Sequence, residues 1–504
     1  MSTATTDTGR VTGTAPSTRV AGVTVPTGLA IAGTWRPSST GAHFAVEDPA
    51  TEQSIALVAD GTVSDALDAL DTAHDAQPSW GDTPARTRAE LLRRAFDTVT
   101  ARADEFAAVI TAEMGKPLAE ARAEVAYGAE FLRWGSEQAA HVHGEFGHAP
   151  GGGFRIATSR RPVGPAYLVT PWNFPLAMGT RKVAAALAAG CTVVWKPAAQ
   201  TPLTAALLVQ ALADAGVPDG VVNLVPTLDA AAQSRALMAD PRLRKLSFTG
   251  STRAGTTLLR QAADTVMRTS MELGGNGPFV VLADADVDAA VEGAVLAKFR
   301  NGGESCVAAN RFVVHEDVVD RFVAGFAARV GRMVPGPGTD PASTLGPLID
   351  RAAVDKVDGL VRDALADGAR LVAGGHRIDR PGHFYAPTIV TDVPRASRLL
   401  REEIFGPVAP VTTVSSVDEA VAVANDTEYG LAAFVWTRDV QTALEVGDRI
   451  EAGMVGINRG LVSEVAAPFG GVKVSGLGRE GGSSGIDEYL ETRYLAIDDQ
   501  RRTR

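Results

Sequence analysis

Cys306 closes the run Phe299-Arg300-Asn301-Gly302-Gly303-Glu304-Ser305-Cys306, and Glu272 stands upstream in Met271-Glu272-Leu273-Gly274-Gly275. A cysteine acting as a nucleophile forms a covalent intermediate, and that intermediate needs a base for its release. Glu272 is a candidate for that base. The glycines in both runs permit close approach of backbone to a ligand. Taken by itself Cys306 is weaker, because a free cysteine more often packs as a small hydrophobe. Two other segments carry the same double reading. Leu246-Ser247-Phe248-Thr249 runs into Gly250-Ser251-Thr252-Arg253-Ala254-Gly255 and a helical stretch. Phosphates favour such a strand-to-helix turn, where free N–H groups and the helix dipole meet an anion. A plain helix cap looks the same, and the Gly-x-Gly-x-x-Gly fingerprint is absent. Thr170-Pro171-Trp172-Asn173-Phe174-Pro175 is a proline-bounded turn after a strand, where a buried Asn173 could simply satisfy backbone groups.

The elements that must position these residues follow from apolar periodicity. Over 64–141 the pattern is helical, with Ala66, Leu67, Ala69, Leu70 and later Leu91, Leu92, Ala95, Phe96 at three- and four-residue spacings. The glycine-rich run 144–153 breaks it, and 154–158 alternates like an exposed strand. Strands at 166–169, 192–195 and 221–225 then alternate with helices at 181–189 and 203–215. A second alternating set opens at 278–282, includes 311–314 and 410–413, and runs to about residue 455. Such alternation predicts an α/β chain of two doubly wound parallel sheets, with Cys306 early in the second.

Composition narrows the class. The chain has 504 residues, enough for about three domains of ordinary size. Its 48 basic against 59 acidic residues give a net charge of −11, which argues against nucleic acid as a partner. Cys191 and Cys306 are the only cysteines, so there is no disulfide framework or zinc-ligand spacing, and a reducing, cytoplasmic location is expected. Cys191 reads as a packed thiol. No apolar stretch is long enough for a membrane span. His141, His143 and His148 cluster in the glycine-rich connector without nearby ligands, so they read as a solvated loop and no metal is expected. The opening residues are rich in Thr, Ser, Gly and Ala and read as a disordered leader over 1–24.

In their order and together, these segments resemble the aldehyde dehydrogenase superfamily. The resemblance spans about 25–498 and rests on TPWNFP at 170–175, KPAAQTP at 196–202, FTGST at 248–252 and MELGG at 271–275. It also rests on the Cys306 loop, EIFGP at 403–407 and PFGGVK at 468–473. It implies that the Cys306 thiolate attacks an aldehyde to give a thiohemiacetal and then a thioester. Asn173 and the Cys306 N–H would stabilise the oxyanion, and Glu272 would activate water. For the cofactor it implies Lys196 at the adenosine ribose, Gly250 and Ser251 at the pyrophosphate and Glu403 at the nicotinamide ribose. Thr170, Trp172, Ala199 and Phe405 complete the set. The implied division is a cofactor-binding domain from 25–143 and 163–274 and a catalytic domain over 275–484. An oligomerisation β-flap from 144–162 and 485–499 would make a homodimer or homotetramer.

Met178-Gly179-Thr180-Arg181-Lys182, Arg300 and Gly460-Leu461-Val462-Ser463 further resemble the succinate-semialdehyde dehydrogenase branch. There Arg181, Arg300 and Ser463 would bind the distal carboxylate, which suits guanidinium chemistry. Ala308 stands where many members of the branch carry a second cysteine. Arg459 and Glu464 flank the carboxylate loop, and an inward Glu464 would repel an acid, which leaves glutarate semialdehyde or another oxo acid as the alternative. Ala199 replaces a glutamate common in NAD-preferring relatives and removes its repulsion of a 2′-phosphate. The expectation therefore leans to NADP, with NAD open. An acylating dehydrogenase is disfavoured by Glu272, and a catalytically silent member of the fold by Cys306, Glu272 and Asn173 together.

Overall fold

Strands Ala166–Val169, Val193–Lys196, Val222–Leu224, Lys245–Thr249 and Arg268–Glu272 lie parallel in one sheet of the computed structural model, which describes residues 16–499. The first four are buried along their whole length, as expected for a parallel sheet covered on both faces. Strand 166–169 lies between 193–196 and 245–249, so the winding reverses beside it. Ligands bind at such a reversal, outside the carboxyl ends of the strands.

Three antiparallel strands extend this sheet to eight. Leu29–Ile31 and Thr34–Arg36 add to one edge and Gly476–Leu477 to the other. Residues 476–477 fall in the stretch expected of the catalytic domain, yet they pair with Met271 and Glu272. Strand 268–272 would otherwise present a row of unpaired backbone groups, and this short return covers it. The second sheet has seven strands. Thr388–Thr391, Val408–Val414, Ala309–His315, Gly277–Val281, Ala432–Trp436 and Met454–Ile457 are parallel, with Arg370–Ala373 antiparallel at the edge. Its core is aromatic: Phe279 packs 5.1 Å from Phe312 and 5.8 Å from Phe434. Each such buried side chain contributes about 1.5–3 kcal/mol.

The helical pattern over 64–141 resolves into Val63–Gly81, Ala85–Ala101, Ala103–Met114 and Leu118–Ala139. Thr62 and Asp65 form a capping box at the first start, and Gly115 (φ 91°) followed by Pro117 separates the last two. The leader expectation is corrected in part. Ser17–Val20 and Val23–Pro26 form a hairpin whose turn residues Ala21 and Gly22 have φ of 47° and 83°. Val20 and Val25 are buried in the first core, so the polar composition concealed a two-residue alternation. The rest of the expected leader, 1–15, lies outside the described residues. Segments 144–162 and 485–499 meet in a three-stranded antiparallel sheet of Phe146–His148, Phe154–Pro162 and Leu490–Asp498. Among the described residues no helix is long and apolar enough to cross a membrane, and no cluster of His, Cys, Asp and Glu could hold a metal.

Candidate active site

The helix Val287–Phe299 ends in a tight turn, Arg300–Gly303, in which Asn301, Gly302 and Gly303 have φ of 57°, 65° and 75°. Glycine takes this conformation freely, and asparagine tolerates it better than most side chains. The reversal delivers Cys306 just before strand Ala309–His315. Asn301 Nδ2 donates to Asn173 O (3.1 Å) and Glu304 O (3.0 Å), and its backbone N–H donates to the Glu120 carboxylate (3.0 Å). Asn173 Nδ2 donates to Glu304 O (2.9 Å), leaving its second N–H free and its buried Oδ1 without a partner. From the other side, a Cβ on Gly275 would stand 2.3 Å from Cys306 O, so the Glu272–Gly275 segment lies against the Cys306 backbone.

Cys306 is half-buried, and burial pushes its thiol pKa up to about 12. Arg181 pulls it down, while Glu403 and Glu272 push it further up. The thiol is therefore protonated at neutral pH and needs a base. Glu272 ends strand 268–272, buried, with neither carboxylate oxygen partnered. Burial and then Glu480 raise its pKa well above the usual carboxylate range, against the pull of Lys182, Arg181 and Arg479. Glu480 takes the opposite course. Burial would raise it, but Lys182 at 2.5 Å and Arg181 hold it below its ordinary value. Neighbouring carboxyl groups whose pKa values are pushed apart can play separate roles, and Glu272 is the one poised to take a proton.

The carboxyl ends of the parallel strands open on a cleft of about 710 Å³ lined by Trp172, Ser251, Cys306, Lys356, Glu403 and Phe405. Trp172 and Phe405 meet edge to face at 5.4 Å. Glu403 Oε1 accepts from Gly275 N–H (3.0 Å), and a Cβ on Gly274 would lie 2.8 Å from Oε2. Burial raises the Glu403 pKa. Ser251 caps helix Thr252–Asp264, its Oγ accepting from Ala254 N–H at 3.4 Å. Lys196 ends its strand with Nζ donating to Pro197 O (2.9 Å), and burial lowers its pKa to about 8. Ala199 is half-buried just beyond. Thr170 is buried and accepts from Trp195 Nε1 (2.9 Å), so it pins the turn. A Cβ on Gly250 would meet the Phe248 ring at 2.5 Å, so the protein itself requires that glycine before any phosphate arrives. A nicotinamide dinucleotide fits this set. Free N–H groups at a helix start suit its pyrophosphate, and Gly274 leaves a cradle beside Glu403.

Arg181 projects from helix Ala177–Ala189, buried between the rings of Phe469 (4.0 Å) and Phe131 (5.1 Å). Nη2 donates to Tyr127 Oη (3.0 Å), Nη1 lies 3.6 Å from Glu480, and neither Nε nor Nη1 has a hydrogen-bond partner. Arg300 stacks on Phe174 at 5.1 Å and makes no ion pair with a described residue. Burial lowers its pKa, against the opposite pull of Glu120, Tyr127, Glu124 and Cys306. Ser463 is half-buried, next to Val462, which packs with Cys306 on Val307, Leu431 and Phe469. The feared inward charges are absent from the loop interior. Glu464 is exposed with Oε1 accepting from Ala466 N–H (3.4 Å), and exposed Arg459 donates to Leu461 O (3.2 Å). His141, His143 and His148 are exposed, and Cys191 is buried with Sγ 3.3 Å from Tyr489 O.

Sequence reasoning missed the ions beneath the site. Lys116 Nζ bonds Glu124 (2.5 Å) and Asn173 O (2.8 Å), and Glu124 Oε1 accepts from Leu176 N–H (2.9 Å). This pair fixes the turn that carries Asn173. With Lys182 and Glu480 it had one available signal: charges set among alanines and other apolar residues on otherwise buried helix faces.

Residues 35–495 match the aldehyde dehydrogenase family, and the chain belongs to it. The chain is similar to the succinate-semialdehyde dehydrogenase of Paenarthrobacter nicotinovorans, 56% identical over 88% of this chain and 99% of that protein. The Escherichia coli K12 succinate-semialdehyde dehydrogenase, whose name specifies NADP(+), is 44% identical over 93% and 97%. A Pseudomonas aeruginosa glutarate-semialdehyde dehydrogenase is 45% identical over 92% and 96%. The crystal structure of succinate-semialdehyde dehydrogenase from Burkholderia pseudomallei superposes with a TM-score of 0.93 at 46% identity, covering 94% and 98%.

Proposed function

We propose that this protein oxidises succinate semialdehyde to succinate with NADP, NAD being the poorer cofactor. The observation that carries the reading is Arg181, a buried guanidinium near Cys306 whose Nε and Nη1 make no hydrogen bond, Nη1 standing 3.6 Å from Glu480. Buried donors left unmet are costly, and a carboxylate meets a guanidinium fork through two charge-assisted bonds. Arg300, without an ion pair, and the Ser463 hydroxyl complete the carboxylate site.

Glu272 takes the thiol proton, directly or through water, and Sγ attacks the carbonyl carbon. The resulting oxyanion accepts from the free N–H of Asn173 Nδ2 and from the Cys306 backbone N–H, and one such donor contributes about 3 kcal/mol. When bound, the dinucleotide accepts the hydride that leaves this carbon. A thioester remains on Cys306. Glu272, having passed the first proton to solvent, then takes a proton from water as the oxygen attacks the thioester, and the cysteine leaves as thiolate. Glu403 would hold the nicotinamide ribose, Gly250 and Ser251 the pyrophosphate, and Lys196 the adenosine ribose, with Trp172 and Phe405 lining the same cleft. Ala199 presents no carboxylate to repel a 2′-phosphate, in keeping with the relative named for NADP(+). The eight-stranded unit serves the cofactor and the seven-stranded unit the thiol. The exposed three-stranded sheet assembles a homodimer or homotetramer, and the enzyme works in the cytoplasm.

Steady-state kcat/KM for succinate semialdehyde, glutarate semialdehyde and butanal with each cofactor tests this. The four-carbon acid with NADP should rank first. Glutarate semialdehyde in first place would reassign the chain length, and butanal as an equal would remove the carboxylate site.

A further inference from the structure

Tyr127 belongs to neither the catalytic nor the cofactor set, yet it bonds one of the two arginines and its charge would act on the other. It lies on helix Leu118–Ala139, which packs closely on helix Ala177–Ala189. A Cβ on Gly135 would stand 3.1 Å from Ala184, and one on Gly128 3.1 Å from Leu176. That close approach brings the phenol oxygen to 3.0 Å from Arg181 Nη2. The Tyr127 ring is set edge-on to Phe131 at 5.1 Å, and Phe131 carries the Arg181 guanidinium over its face. The phenol oxygen accepts from the guanidinium, so its own proton remains to be donated. No acceptor among the described residues takes it. A negative charge on Tyr127, as on Glu120, Glu124 or Cys306, would favour the charged form of Arg300.

We propose that Tyr127 is a specificity-determining residue whose hydroxyl donates to the distal carboxylate of a short ω-oxo acid held by Arg181 and Arg300. The proposal rests on the semialdehyde reading above and adds a third donor to it. A phenol that accepts from a cation is polarised and becomes the stronger donor. Its ring, fixed on Phe131, loses little freedom when the acid binds. The same hydroxyl also rejects. An aldehyde ending in a methyl group would leave the phenol proton of half-buried Tyr127 and the buried Arg181 donors unmet, which is how a polar pocket discriminates most strongly.

Tyr127→Phe removes the hydroxyl and keeps the ring. The expected result is a KM for succinate semialdehyde raised about 10-fold or more, as for a lost bond to a charged group. Turnover at saturation with the semialdehyde and the melting temperature should hold, while the KM for butanal should fall, because the donor that butanal leaves unmet is gone. An unchanged KM for the semialdehyde, or an equal loss for both aldehydes, would overturn the assignment. Arg300→Ala measured beside it separates the two claims. Selective loss in Arg300→Ala with none in Tyr127→Phe overturns the role of Tyr127 and leaves the semialdehyde reading standing. No selective loss in either variant overturns both.

Discussion

The Cys306 thiol is held protonated by its surroundings, and the residues that shift it make opposite predictions. Burial raises its pKa to about 12, Arg181 lowers it, and Glu272 and Glu403 raise it. The thiolate is the reactive form. Iodoacetamide alkylation of the cofactor-free enzyme should therefore accelerate steadily across the alkaline range. Arg181→Met should slow alkylation at every pH, because the cation that favours the thiolate is gone. A rate flat between about pH 7 and 9 would mean a thiol already ionised by some other group. Ala199 carries a second prediction at this scale. Ala199→Glu should raise kcat/KM with NAD and lower it with NADP, since a carboxylate accepts from ribose hydroxyls and repels a 2′-phosphate. An unchanged ratio would place residue 199 away from the ribose.

At the scale of elements, each motif sits where a turn or a strand end has to be. Gly275 is the sharpest case, because a Cβ there would stand 2.3 Å from Cys306 O. Gly275→Ala should cut kcat by orders of magnitude while a thermal melt shows a folded protein, since the displaced backbone carries the nucleophile. Near-normal turnover would show that the two segments separate without cost. The turns were legible in the sequence because glycine, proline and asparagine mark them, and residues of 170–175, 248–252, 271–275 and 299–306 line one cleft. The ion pairs Lys116–Glu124 and Lys182–Glu480 were not, because a charge at a helical position reads as a solvated face until the neighbouring element is known. The hairpin at 17–26 stayed hidden for a related reason. Its outward residues are Thr, Ser and Arg, and only Val20 and Val25 report the buried face.

Across the whole molecule, the chain's last quarter returns to the unit where it began. Gly476 and Leu477 pair with Met271 and Glu272, Glu480 bonds Lys182, and Leu490–Asp498 pairs with Phe154–Pro162 along its full length. No local pattern announces such a return, and the division at 484 that the resemblance implies gives no hint that 476–477 pair with the first sheet. Ending the chain at Tyr489 should leave both sheets folded, lower the melting temperature and reduce the mass in solution by light scattering. An unchanged assembly would show that the three-stranded sheet is not the interface. The central claim, that Cys306 carries an acyl group derived from an acidic aldehyde and Glu272 releases it, has a direct test. Glu272→Gln should be mixed with succinate semialdehyde and NADP, quenched within the first turnover, and examined by intact-protein and peptide mass spectrometry. The account predicts a burst of reduced cofactor, slow turnover afterwards and one succinyl group on the peptide containing Cys306. Reduced cofactor formed at the wild-type steady rate with no acyl group on Cys306 would contradict it.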